Sequence, residues 1–146
     1  MRSGWLVVAV LAGSALAQEQ GYWRASNQNA KAITGDVGLS RDKLTINFVA
    51  FSIAEIRALE ATEKSAVFGA EDSGAGVANL YRLRVPATTK FLRKNTLCGS
   101  EETEWMVTLA AGKTLRVAFF SGGKMPVLSG DVANSAELCG VYSYVR

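Results

Sequence analysis

The residues able to do chemistry are few. The chain has two cysteines and no histidine. A Ser-His-Asp or Cys-His arrangement is therefore impossible, because each needs an imidazole to carry the proton. Two thiolates also fall short of the usual four-ligand zinc site. Cys98 and Cys139 stand 41 positions apart, which excludes a Cys-x-x-Cys redox motif. Each lies in a Leu-Cys-Gly triplet, at residues 97–99 and 138–140. The plain reading is one structural disulfide, Cys98–Cys139, with loop-closure entropy worth roughly 4 kcal/mol at most. The alternative is a reactive or intermolecular thiol.

Carboxylates offer less. Thr34-Gly35-Asp36-Val37 and Ser129-Gly130-Asp131-Val132 form a near-repeat. Two aspartates can divide acid and base roles, as in glycosidases. Ser-Gly-Asp is turn chemistry, however, and a glycine within a strand marks a bulge. Glu101, Glu102 and Glu104 bring the oxygens calcium prefers but lack the spacing of an EF-hand loop. Residues 74–79 half-match a dinucleotide fingerprint without its strand-turn-helix setting. No nucleophile, metal set or cofactor motif emerges, and a non-enzymatic role is expected.

The most distinctive charge feature is basic. From Ser73 to Ser100 there is no acid, whereas Arg82, Arg84, Lys90, Arg93 and Lys94 all fall inside. Arg82 and Arg84 are two apart on a predicted strand and share a face. Such a cluster suits an anionic partner, such as a phosphate-bearing lipid head group or an acidic protein patch. Glu101, Glu102 and Glu104 follow at once and are the obvious neutralisers. The chain as a whole has 16 Lys and Arg against 13 Asp and Glu, a formal charge of +3. That excess is too slight for generic nucleic-acid binding.

Positioning these residues falls to short strands in an exported chain. Met1-Arg2, an apolar run from Trp5 to Ala12 and Ala15-Leu16-Ala17 read as a secretory signal peptide cleaved after Ala17. The run is too short to span a bilayer, and no later run is long enough. Residues 18–146 are then a single β-rich domain, periplasmic or secreted, in a compartment that permits disulfides. Period-two alternation runs through residues 44–50, 81–85, 105–109 and 115–119, each with one apolar and one solvated face. Further strands are predicted at 30–37, 65–68 and 140–145; residues 53–60 suit either a helical turn and a half or, following directly from a strand, the strand reading preferred here. Residues 110–113 read as a hairpin turn, and 121–124 and 69–76 as loops. Seven to nine short strands predict an all-β fold, a small antiparallel barrel or a sandwich.

Two resemblances add to this. Gly21-Tyr22-Trp23 resembles the Gly-x-Trp that opens the first strand of lipocalins. In that family the tryptophan closes the bottom of an eight-stranded, ligand-holding barrel. The resemblance implies that Trp23 lines or plugs a barrel, with Phe48, Trp105 and Phe119 around any apolar cavity. The run from Ala32 through both Leu-Cys-Gly triplets to the terminal Tyr-Ser-Tyr is similar to small exported bacterial proteins without an assigned role. It implies a compact secreted domain with one disulfide. Two functions are therefore expected: a non-catalytic binding module for an envelope or extracellular partner, or a lipocalin-like carrier of a small hydrophobic or anionic ligand. The candidate binding residues are Trp23, Arg82, Arg84, Lys90, Arg93 and Lys94.

Overall fold

The computed structural model describes residues 18–69 and 76–146. The predicted leader, and all of the 69–76 loop but its first and last residues, lie outside them. Eight antiparallel strands close into a barrel in sequence order. They are β1 (Gly21–Ala25), β2 (Val37–Leu39), β3 (Lys43–Ile46), β4 (Val49–Ala58), β5 (Val77–Val85), β6 (Thr103–Ala111), β7 (Thr114–Ser121) and β8 (Leu138–Val145). Closure comes from Arg24↔Val145 and Ala25↔Tyr144, where β8 returns to β1. Full closure leaves no sheet edge open to pair with another chain. The fold is the barrel of the two predicted architectures, and it holds the Cys98–Cys139 disulfide, with Cα atoms 4.9 Å apart.

Alternation decides what enters the barrel. Tyr81, Leu83 and Val85 of β5, Met106 and Ala110 of β6, Leu115, Val117 and Phe119 of β7, and Tyr142 and Tyr144 of β8 form the inner core with Trp23. Phe119 and Tyr142 meet edge to face at 5.4 Å, a favoured aromatic geometry. The outer face of β5–β7 departs from expectation, because it is not solvated. Trp105, Val107, Leu109, Ala118 and Phe120 are buried there in a second core beneath Val67, Phe68, Leu128 and Val132. The cover is helix α1 (Ala61–Phe68) and the connection leading into β8. Large side chains thus fill the barrel and an outer layer covers one wall. Of the four residues expected around a cavity, Trp23 and Phe119 lie inside, whereas Trp105 is in the outer core and Phe48 is on the surface.

Three predicted strands are something else. Residues 30–34 form a π-helical turn, not the start of a strand. Asn27 Oδ1 accepts from the Ala30 N–H at 2.9 Å, and the Gly35 N–H reaches back to the Ala30 carbonyl at 2.7 Å. Gly35, at φ 62°, ends the turn and only then does β2 begin. Residues 65–68 close α1, whose start is fixed where the Glu63 carboxylate accepts from the Glu60 N–H at 3.0 Å and pairs with Arg57 at 2.6 Å. That local capping outweighs the strand pattern. The alternation over 44–50 conceals a hairpin. Asn47 and Phe48, at φ 51° and 67°, are a two-residue turn between β3 and β4, with the two left-handed residues of a type I′ turn.

In an up-and-down barrel alternate connections share an end. One end, the terminal end, holds Gln18–Gln20, Arg146 and the turns after β2 and β6. The other, the loop end, holds residues 26–36, the Asn47-Phe48 turn, residues 86–102 and residues 122–137.

Candidate functional site

The loop end is built on the 86–102 connection, which folds over the barrel mouth. Phe91 is buried against Phe51, ring centroids 6.1 Å apart, and Leu97 is buried beside them in the inner core. The Phe91 N–H donates to the Asn95 carbonyl at 2.7 Å, and Asn95 Nδ2 donates to the Ala32 carbonyl at 3.2 Å. These bonds tie the connection to the π-helical turn, and the disulfide ties it to β8. The tight turn forces Arg93 and Lys94 to φ 56° and 61°, where side chains with a Cβ are strained. Apolar residues face the mouth and cations face outward. Lys31, Lys90, Arg93 and Lys94 are all exposed, and among the described residues none has an ion-pair partner. Lys31 and Arg93 line one shallow hollow, and Lys90 and Lys94 line another.

Beside the cations stands the β3–β4 turn. Phe48 is 99% exposed and Val49 49%. A bulky aromatic at positive φ is a backbone outlier, and nothing packs on it to repay the strain. Phe48 forms one wall of a cleft of about 480 Å³, with Tyr22, Thr45 and Leu92. Leu92 carries this apolar strip directly to Arg93. Asp36 lies in the same cleft, but its carboxylate accepts from the Tyr22 hydroxyl at 3.0 Å and from the Ala25 N–H at 2.9 Å. The Tyr22 hydroxyl is held in its protonated form by that hydrogen bond, which raises its pKa.

The structure divides the predicted basic cluster in two. Arg84 is bonded to Glu102 by Nε at 2.9 Å and Nη2 at 3.2 Å. Arg82 meets Glu104 at 3.1 Å and lies over the Trp105 ring, 4.5 Å from its centroid. These two arginines are neutralised on the barrel wall by the glutamates that follow in sequence. Lys90, Arg93 and Lys94 stay together at the loop end, joined by Lys31, which sequence reasoning did not single out. The missed signal was the π-helical turn that brings Lys31 to the mouth. Phe48 was expected beside an internal cavity because its alternation placed it in a strand, whereas it stands on the surface.

Trp23 belongs to the opposite end. It is fully buried, and its Nε1–H donates to the Glu19 carbonyl at 2.7 Å. Glu19, also missed, enters the barrel floor and is 1% exposed. Its carboxylate accepts from Asn79 Nδ2 at 2.9 Å, Tyr81 Oη at 2.6 Å and Thr108 Oγ1. Burial raises the Glu19 pKa, while the three hydrogen bonds pull the other way. Arg146 covers the floor from below, 4.1 Å over the Trp23 ring, donating to the carbonyls of Gln20 at 2.6 Å and Gln18 at 2.8 Å.

The remaining candidates make local backbone contacts. Asp131 precedes a 3₁₀ turn over Val132–Asn134, and its carbonyl accepts from the Asn134 N–H at 2.8 Å. Among the described residues no three His, Cys, Asp or Glu side chains are grouped to hold a metal ion. Two Ser-x-x-Lys spacings occur, Ser40–Lys43 and Ser121–Lys124. Their hydroxyls donate to the carbonyls of Lys43 and Glu137, both at 3.4 Å, not to a lysine amine. The exposed aromatic tip and the unpaired cations of the predicted basic cluster therefore meet at the loop end, whereas on the barrel floor Asn79 Oδ1 is buried without a hydrogen-bond partner among the described residues. No family model, curated protein or solved structure matches this chain.

Proposed function

We propose that this chain is an exported, non-catalytic binding module that engages an anionic envelope or extracellular partner through the loop end of its barrel. One observation carries the reading: four exposed, unpaired cations and a fully exposed aromatic share the end whose lid a disulfide anchors. A charged, rigid face of this kind favours association by steering and complementarity. Export is supported by the leader pattern, and a disulfide suits an oxidising compartment. A lipocalin-like carrier role has less support, because aromatic side chains fill the barrel. A small ligand would have to use the outer cleft beside Tyr22 and Phe48.

The test is photo-crosslinking in exporting cells, with the reactive group at position 48 and, as a control, at position 113 in the β6–β7 turn. Adducts should form from position 48, be absent from position 113, and vanish when Lys31, Lys90, Arg93 and Lys94 are changed to glutamate. Equal adducts from both ends, or none from either, would refute the reading.

A further inference from the structure

Resting on that reading, we infer that the partner is an anionic membrane surface, with Phe48 as an apolar wedge and Lys31, Lys90, Arg93 and Lys94 as head-group contacts. Phe48 protrudes. It sits at the tip of a two-residue turn, 99% exposed, with half-exposed Val49 behind it. A bilayer accepts such a tip at any lateral position, and aromatic side chains favour the depth of the head groups.

The cations point the same way. Three of the four are lysines, compact charges on flexible stems rather than the rigid forks that read one carboxylate geometry. Their side chains are exposed and unpaired. This pattern suits a diffuse negative surface, where each basic residue near the membrane adds attraction. The acids nearest these cations are engaged or lie on the wall, where exposed Glu101 lines a hollow with Arg82 and Arg84; Asp131 and Glu137 are exposed in the connection leading into β8. Glu102 and Glu104 are held by Arg84 and Arg82 on the wall, and Asp36 is bonded to Tyr22 and Ala25. A folded acidic partner would instead need a recess shaped for Phe48 and carboxylates in register with four mobile side chains. The proposed contact is peripheral, made by one turn and four side chains, and no helix among the described residues is long and apolar enough to cross a membrane.

The experiment is flotation of the purified, oxidised protein with phosphatidylcholine vesicles, with and without phosphatidylglycerol. The protein should float only with the anionic vesicles. Binding should fall by about tenfold or more in the Lys31→Glu/Arg93→Glu/Lys94→Glu variant and at raised salt. Phe48→Ser should weaken it several-fold, and Lys113→Glu should leave it unchanged. Circular dichroism melts establish that each variant is folded. Equal binding to both vesicle types, binding indifferent to these changes, or no binding would overturn the inference. If vesicles fail while a crosslinker at position 48 still captures a protein, the membrane inference falls and the binding reading stands. If both fail, both fall.

Discussion

The two ends of the barrel solve closure in opposite ways. At the terminal end polar groups are buried around one carboxylate: Glu19 receives three donors, Asn79 Oδ1 beside it has no hydrogen-bond partner among the described residues, and Arg146 caps two carbonyls while stacking on Trp23. Glu19 points inward and Arg146 lies across the floor, while Arg41, Lys43 and Lys113 are exposed at the turns of the same end. At the loop end the seal is apolar, made by Phe91 and Leu97, and the charges face solvent without partners. Among the described residues, four other than glycine adopt positive φ, Asn47, Phe48, Arg93 and Lys94, and all are at the loop end. Strain of this kind persists where the surrounding structure over-determines the backbone. The contrast teaches that both ends hold the fold, one by buried hydrogen bonds and the other by a disulfide and apolar packing that leave strained residues at its surface.

The strongest way to break that contrast is to cut the staple of the loop end. Replacing Cys98 and Cys139 with serine should lower stability in a denaturant titration by about 4 kcal/mol. An unchanged midpoint would mean that packing of Phe91 and Leu97 alone holds the lid. Next comes Glu19→Ala, which strands Asn79, Tyr81 and Thr108 in the barrel. It should cost about 3 kcal/mol in the same titration, as buried donors lose their acceptor, yet leave loop-end binding intact. Loss of binding in a folded Glu19→Ala protein would show that the ends are coupled.

Phe48→Gly should separate stability from function, because Asn-Gly is the preferred pair for this turn. Relief of the left-handed strain should stabilise the protein by about 1 kcal/mol, raising its melting temperature while binding weakens. Both quantities moving together would sink the idea that strain is kept for the surface.

The smallest effect is a pH dependence. Glu19 has a raised pKa because burial disfavours its charged form. Its favourable contribution is complete below the ordinary carboxylate pKa and is lost as pH rises through the elevated value. Glu19→Gln stays neutral and keeps an acceptor for Asn79 and Thr108. Wild type should therefore lose stability relative to this variant as pH rises across that window. Parallel melting profiles from acid to neutral pH would contradict the assignment.

Much of the barrel was legible because half-buried strands have a period of two. The alternations over 81–85, 105–109 and 115–119, the hairpin after Ala111 and the final strand are all present. Where other physics overrides that period, the reading failed. A type I′ turn preserves alternation on both sides and hid the break at Asn47-Phe48. Capping by Glu63 made a helix where residues 65–68 were expected as strand, and the Asn27 cap made a π-helical turn near Ala30. The site was half legible: Lys90, Arg93 and Lys94 were recognised as basic. Their separation from Arg82 and Arg84 depended on Glu104 of β6 and Glu102 just before it reaching the two arginines where the β5–β6 register shifts.

By itself, the sequence determined the absence of imidazole chemistry, the single cysteine pair, the strand-rich character and the slight basic excess. These depend on composition and local pattern, which a linear reading contains. Only the tertiary structure decided that the barrel closes on Glu19, that α1 covers β5–β7, and that Lys31 and Phe48 join the cations at one end. Each is a meeting of residues far apart in sequence, set by strand register and barrel closure.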